Sequence, residues 1–158
     1  WYRARVLIAG SEIDDPEFTK MLEMAGGMVV ADRYCFGSMP GREEIPLEEG
    51  KDVLQSIADY YMWRNQCPRA MGPENIIARK KYIFDLAEKY RADGIIVENM
   101  KFCEFWSYEK VLASHILTEE MGVPCCTIEK EYALGSVGQL RTRFQAFVES
   151  LEIKKINS

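Results

Sequence analysis

Apolar residues fall into two alternating patterns along the chain. Short continuous runs at 5–10 (RVLIAG), 28–31 (MVVA), 94–98 (GIIVE) and 125–129 (CCTIE) have the length and composition of buried strands. Between them, apolar side chains recur at three- and four-residue spacing, as on one face of a helix. The helical sets are Phe18, Met21, Leu22 and Ala25; then Val53, Leu54, Ile57, Ala58 and Tyr61; then Ile76, Ile77, Ile83, Phe84 and Ala87. A fourth carries Val111, Leu112, His115 and Ile116, and a fifth Leu140, Phe144, Phe147 and Val148.

Punctuation residues agree with this division. Asp15 is placed to cap the first helix with Pro16 at its first position, and Gly26-Gly27 ends it. Residues 32–46 are rich in turn formers and predict a loop. Pro68 and Pro73 break the second helical pattern, and Pro73 can open the third helix. Ser136 and Gln139 form a capping box before the last one.

Strands alternating with helices predict an α/β fold with right-handed crossovers: a four-stranded parallel sheet flanked by helices, flavodoxin-like in the order 2-1-3-4. Residues 1–158 read as a single such domain. The opening WYRARVLIAG has no initiator Met and enters a strand at once, which suggests a domain of a longer chain. In an open parallel sheet, ligands bind beyond the carboxyl ends of the strands, where the strand order reverses. Here that point lies between the first and third strands. It gathers Gly10-Ser11, residues 32–37 and residues 99–106, and with them Cys35 and Cys103.

Charge and composition narrow the function classes. A net charge of -5 argues against a nucleic-acid or polybasic membrane surface. No apolar run is long enough to cross a bilayer and no signal peptide is visible. The five cysteines are odd in number and form no CxxC pair, so reduced, cytoplasmic thiols are expected rather than a disulfide scaffold. Three explanations stay open for them: packing, metal or cluster ligation, and catalysis.

Cys125 and Cys126 lie inside a strand and read as small apolar residues. Cys35 sits in a Gly/Pro-rich loop, Cys67 directly before Pro68, and Cys103 at the ligand edge beside Phe105 and Trp106. Each could be a ligand, Cys103 with the best placement. His115, on the apolar side of its helix, reads as a core or boundary residue. Asp14 and Asp15 are explained by capping better than by paired-carboxylate catalysis. GSVGQLRTR sets backbone amides and Arg141 at a helix start, suited to an anion such as a coenzyme phosphate, or else to an ordinary cap with solvated arginines. There is no P-loop, GxGxxG or GxSxG.

Several stretches together resemble the C-terminal end of the 2-hydroxyacyl-CoA dehydratase and benzoyl-CoA reductase family. They are Lys101-Phe102-Cys103-Glu104; Val123-Pro124 with Glu129; Glu131-Tyr132; and GQLRTR at 138–143. GSEIDDPEF, GGMVVADRYCFGS and CPRAM are similar to the start of the same domain, and DRYCFGS and RNQCPRAM lean toward the benzoyl-CoA reductase branch. The resemblance implies two related subunits with [4Fe-4S] clusters, and a separate ATP-hydrolysing iron–sulfur activator that delivers low-potential electrons. It implies a CoA thioester substrate, which is either stripped of a hydroxyl or reduced in an aromatic ring. It makes Cys103 a cluster ligand and offers Cys67 and Cys35, which have counterparts in the related double-cubane cluster proteins, as further ligands. Ser136, Gly138 and Arg141, at the start of the last helix, are the candidate coenzyme-phosphate contacts. A non-catalytic role in supporting the cluster and docking a partner, through a surface around Trp63 and Met71, is the alternative.

Overall fold

The computed structural model describes residues 1–157 except Arg42, Arg64, Asn65, Gln66, Ala70, Met71, Leu134 and Ser136, and except the side chains of Pro40 and Trp63. Strands β1 (Ala4–Gly10), β2 (Gly27–Tyr34), β3 (Gly94–Met100) and β4 (Cys125–Lys130) form one all-parallel sheet in the order β2-β1-β3-β4. The expected topology is the observed one, with its reversal between β1 and β3.

Central strands β1 and β3 are buried on both faces, so their sequences are continuous apolar runs. Alternate side chains feed two cores. Ala4, Val6, Ile8, Ile96 and Ile128 pack under α1 (Pro16–Met24) and α5 (Val137–Ile156), where the rings of Phe18 and Phe144 meet edge-on at 5.2 Å. Leu7, Ala9, Ile95 and Val97 pack under α3 (Pro73–Lys89) and α4 (Glu104–His115), together with Trp106, Ala113 and Leu117. No helix among the described residues is long and apolar enough to cross a membrane.

Local signals act as their chemistry requires. The Asp15 side chain accepts from Glu17 N at 2.9 Å, and Pro16 opens α1. Gly26 ends that helix with φ +94°, a left-handed backbone that glycine adopts without strain.

Three expectations are corrected. β2 runs on through Asp32-Arg33-Tyr34, which read as loop, because the ladder to β1 continues past a bulge to pair Gly10 with Tyr34. The apolar stripe of α2 (Val53–Trp63) is not core: Val53, Leu54 and Tyr61 are exposed, and Ser56 and Tyr60 are buried instead. In α4 the buried face is Trp106, Glu109 and Ala113, so Val111 and His115 face solvent and the helix passes into a π-turn at Ile116–Glu120.

Candidate functional site

The three loops at the strand reversal are tied to one another. Ser11 O accepts from Cys35 N at 2.7 Å, Ser11 Oγ accepts from Met100 N at 2.7 Å, and Ser11 N donates to Glu98 Oε2 at 3.0 Å. A Cβ on Gly10 would stand 2.6 Å from the Glu98 carbonyl oxygen, so only glycine lets β1 lie this close to β3.

Two of the thiols sit in this frame. Cys35 follows β2, and Cys103 occupies the N-cap position of α4 without a side-chain capping bond. Both pack against Trp106 and its neighbours under α4. Burial pushes the Cys35 thiol up and the facing Trp106 indole N–H pulls it down; the thiols of Cys67 and Cys103 then push it up and Arg33 draws it down. Cys35 is therefore within electrostatic reach of both other candidate ligands. The preceding turn is strained, with Phe102 at φ +70° and its ring almost wholly in solvent. Arg69 lies over the Phe105 ring, 5.4 Å from its centroid.

Beneath the thiols lies a buried charge cluster. Arg79 Nε donates to Glu109 Oε1 at 2.9 Å, Arg79 Nη2 donates to Oε2 at 3.1 Å, and Lys80 Nζ also donates to Oε1. Burial alone would push the Glu109 carboxyl up, but these bonds and charges outweigh it and hold it low. Arg33, wholly buried over the Trp106 ring at 5.4 Å, is pushed down to about 10 by burial and stays charged at neutral pH. Arg33, Arg79 and Lys80 thus share one buried region with Glu109.

On the opposite face of β3, Glu98 is also wholly buried. Its Oε2 accepts from Ser11 N and Oγ, while Oε1 has no hydrogen-bond partner among the described residues. Burial drives its carboxyl from 4.5 up to about 7, against the Ser11 hydrogen bonds and the charge of Lys130. A group held above its unfolded value folds with its proton on, so its contribution is full at low pH and is lost as pH rises. The loss should be about 3 kcal/mol across that window, with Glu98→Gln flattening it. Urea unfolding at about pH 5 and about pH 8 measures this, and a wild type no more pH-sensitive than the variant would overturn it.

At the same carboxyl edge of the sheet, on the β4 side, the loop before α5 and its first turns form a cleft of about 290 Å³ lined by Lys101, Glu129, Lys130, Glu131, Gln139 and Arg143. Gly138 and Arg141 are exposed and do not line it; Ser136 lies outside the described residues.

Comparison with known proteins accounts for this architecture. The family model described as 2-hydroxyglutaryl-CoA dehydratase, D-component, matches residues 2–151. The chain belongs to that family. It is 31% identical to the (R)-phenyllactyl-CoA dehydratase beta subunit of Clostridium sporogenes, over 93% of this chain and 38% of that protein. It is 25% identical to the lactoyl-CoA dehydratase subunit beta of Anaerotignum propionicum, over 96% of this chain and 39% of that one. A candidate dehydratase subunit of Escherichia coli K12, YjiM, is 29% identical over 94% of this chain and 38% of its own length. The chain thus spans less than two-fifths of these relatives.

For this member of the dehydratase family, sequence reasoning placed Cys35 and Cys103 at the edge where they stand. Among the described residues, no group of three or more His, Cys, Asp or Glu could hold a single metal ion. A cubane asks for something else, since its thiolates stand at separate corners. Cys125 and Cys126 are half-buried thiols raised by burial, Cys125 to about 11, and suit packing. Asp14 accepts from the Tyr132 hydroxyl at 2.6 Å. Met71 and the Trp63 side chain lie outside the described residues, so the docking surface expected there is not described. Glu98, Glu109 and Lys130 were missed. Glu98 alone had a legible signal, a charge directly ending the apolar run GIIVE; Glu109 and Lys130 stand beside other charged residues and had none.

Proposed function

We propose that the chain is the C-terminal domain of a subunit of an ATP-driven iron–sulfur acyl-CoA dehydratase, and that Cys103, Cys35 and Cys67 give thiolates to a [4Fe-4S] cluster. The observation that carries this reading is the packing of Cys35 and Cys103 into one cluster with Trp106 at the carboxyl end of the sheet, with Cys67 in electrostatic reach of Cys35 and buried cations close by. A thiolate-bound cluster is anionic, and Arg33, Arg79 and Lys80 offer the compensating charge that burial demands. When bound, such a cluster supplies electrons singly at low potential. The chain's own residues hold and shield it: Trp106 fills the space beneath Cys35, and Phe105 covers the α4 side.

That shield is open on one side. Phe36, Phe102 and Tyr108 are exposed around the thiols, a surface that suits a covering domain or a paired subunit. The beta-subunit names of two relatives support a paired arrangement, and an ATP-hydrolysing iron–sulfur activator belongs to the same proposal. Both names also describe dehydratases of 2-hydroxyacyl-CoA thioesters, which moves the reading from aromatic ring reduction toward dehydration.

The test uses the full-length subunit with its partner and activator, prepared anaerobically. Iron and sulfide in about cubane proportion, a reduced [4Fe-4S] resonance, and water loss from a 2-hydroxyacyl-CoA are the expected results. Turnover of benzoyl-CoA alone would favour ring reduction, and a reconstituted protein without iron would end the redox reading.

A further inference from the structure

Lys130 ends β4 with its side chain on the α1/α5 face of the sheet, and it is only 3% exposed. Its Nζ has no hydrogen-bond partner among the described residues, and no described ion pair joins it to a carboxylate. An ammonium group buried without a partner is costly to keep. Yet the same side chain lines the cleft at the start of α5, where Arg143 adds positive charge.

Two carboxylates, Glu129 and Glu131, also line the cleft, and each is paired with a lysine other than Lys130. Glu131 pairs with Lys101 at 2.7 Å and Glu129 with Lys110 at 3.1 Å. Glu98 bonds Ser11 and feels Lys130 only through space. Arg143 donates one guanidinium N–H to Thr127 O and keeps others. Helix α5 is 20 residues long, and its first turn carries the positive end of the helix dipole.

We propose that this cleft binds a phosphate-class oxyanion, with Lys130 Nζ at its base, Arg143 at its side and the first turn of α5 above it. At about 290 Å³ it suits one or two phosphate groups rather than a whole nucleotide. The site moves the anion from Arg141, where the sequence suggested it, to Arg143, two residues on, and to Lys130 of β4. It stands apart from the dehydratase reading; only a coenzyme source for the phosphate would rest on that reading.

The experiment is calorimetric titration of the full-length subunit with inorganic phosphate, CoA and dephospho-CoA, in a phosphate-free buffer. Phosphate is expected to bind and to raise the unfolding temperature. Lys130→Met, apolar and of similar length, should weaken that binding at least tenfold, and Arg143→Gln should weaken it while keeping the buried lysine. CoA binding more tightly than both phosphate and dephospho-CoA assigns the site to the coenzyme 3′-phosphate; equal affinities assign it to a free anion. No binding of any probe, or undiminished binding in Lys130→Met with loss in Arg141→Gln, overturns the proposal, and neither result touches the iron measurement.

Discussion

Glu109→Gln is expected to destabilise the fold by about 3–5 kcal/mol, the largest effect of any single substitution on the α3–α4 side. The physical reason is imbalance. Arg79, Lys80 and Glu109 are each no more than 2% exposed, and both cations donate to this one carboxylate. Removing its charge while keeping its shape leaves two cations, with Arg33 nearby, in a medium that cannot solvate them. Burial already lowers the Lys80 ammonium, so part of the cost would be relieved by loss of its proton. A triple change of Arg79, Lys80 and Glu109 to Met removes donors and acceptor together, and should be nearly neutral. Urea unfolding of both variants measures the difference. A Glu109→Gln loss below about 1 kcal/mol would mean that water or a mobile partner already compensates these charges.

The same triad shows where sequence reading ends. Strand order was legible because β1 and β3 must be apolar on both faces, and because Gly and Pro punctuate the chain at 10, 16, 26 and 73. The edge that carries Cys35 and Cys103 followed from topology alone. ARKKY, however, is a short basic stretch in the sequence, and Arg79 and Lys80 within it are buried. Periodicity counts a charged residue as surface; only the facing carboxylate, thirty residues away on another helix, reverses that. The α2 stripe fails in the opposite direction. Val53, Leu54 and Tyr61 have the right spacing for a core face, yet nothing within the described residues covers them. Spacing tells which residues share a face, not what lies across from it.

Electrostatics connects the buried charges to the thiols. Cations held in a packed interior lower the free energy of any anion placed beside them, and the thiols of Cys35 and Cys103 pack in the same cluster as Trp106, on which Arg33 stacks. For thiols alone, burial opposes ionisation, and Cys35 is raised. A metal removes that opposition, because a coordinating thiol is deprotonated outright. Burial thus disfavours a free thiolate at Cys35, and a metal-bound one there belongs to the proposal that iron analysis tests.

Cys103→Ala in the full-length, partnered enzyme is expected to abolish iron retention while leaving the domain folded. The two halves of that expectation separate a ligand from a packing residue. Cys103 is half-buried at the N-cap of α4, and its side chain makes no capping hydrogen bond. Alanine therefore forfeits only a sulfur's worth of packing, about 1 kcal/mol or less. Cys103→Ser introduces a hydroxyl that can accept from the next turn's N–H, so it should stabilise α4 by roughly 0.5–1 kcal/mol. If Cys103 serves the fold alone, the serine variant is the better protein and keeps whatever iron the enzyme holds. If it is a ligand, the serine variant is better folded yet loses iron or shows an altered resonance, because an alkoxide replaces a soft thiolate. Iron content, the reduced-state resonance and urea unfolding, measured on wild type and both variants, decide between them; unchanged iron and spectra in Cys103→Ala would leave the turn at 101–103 with no redox role.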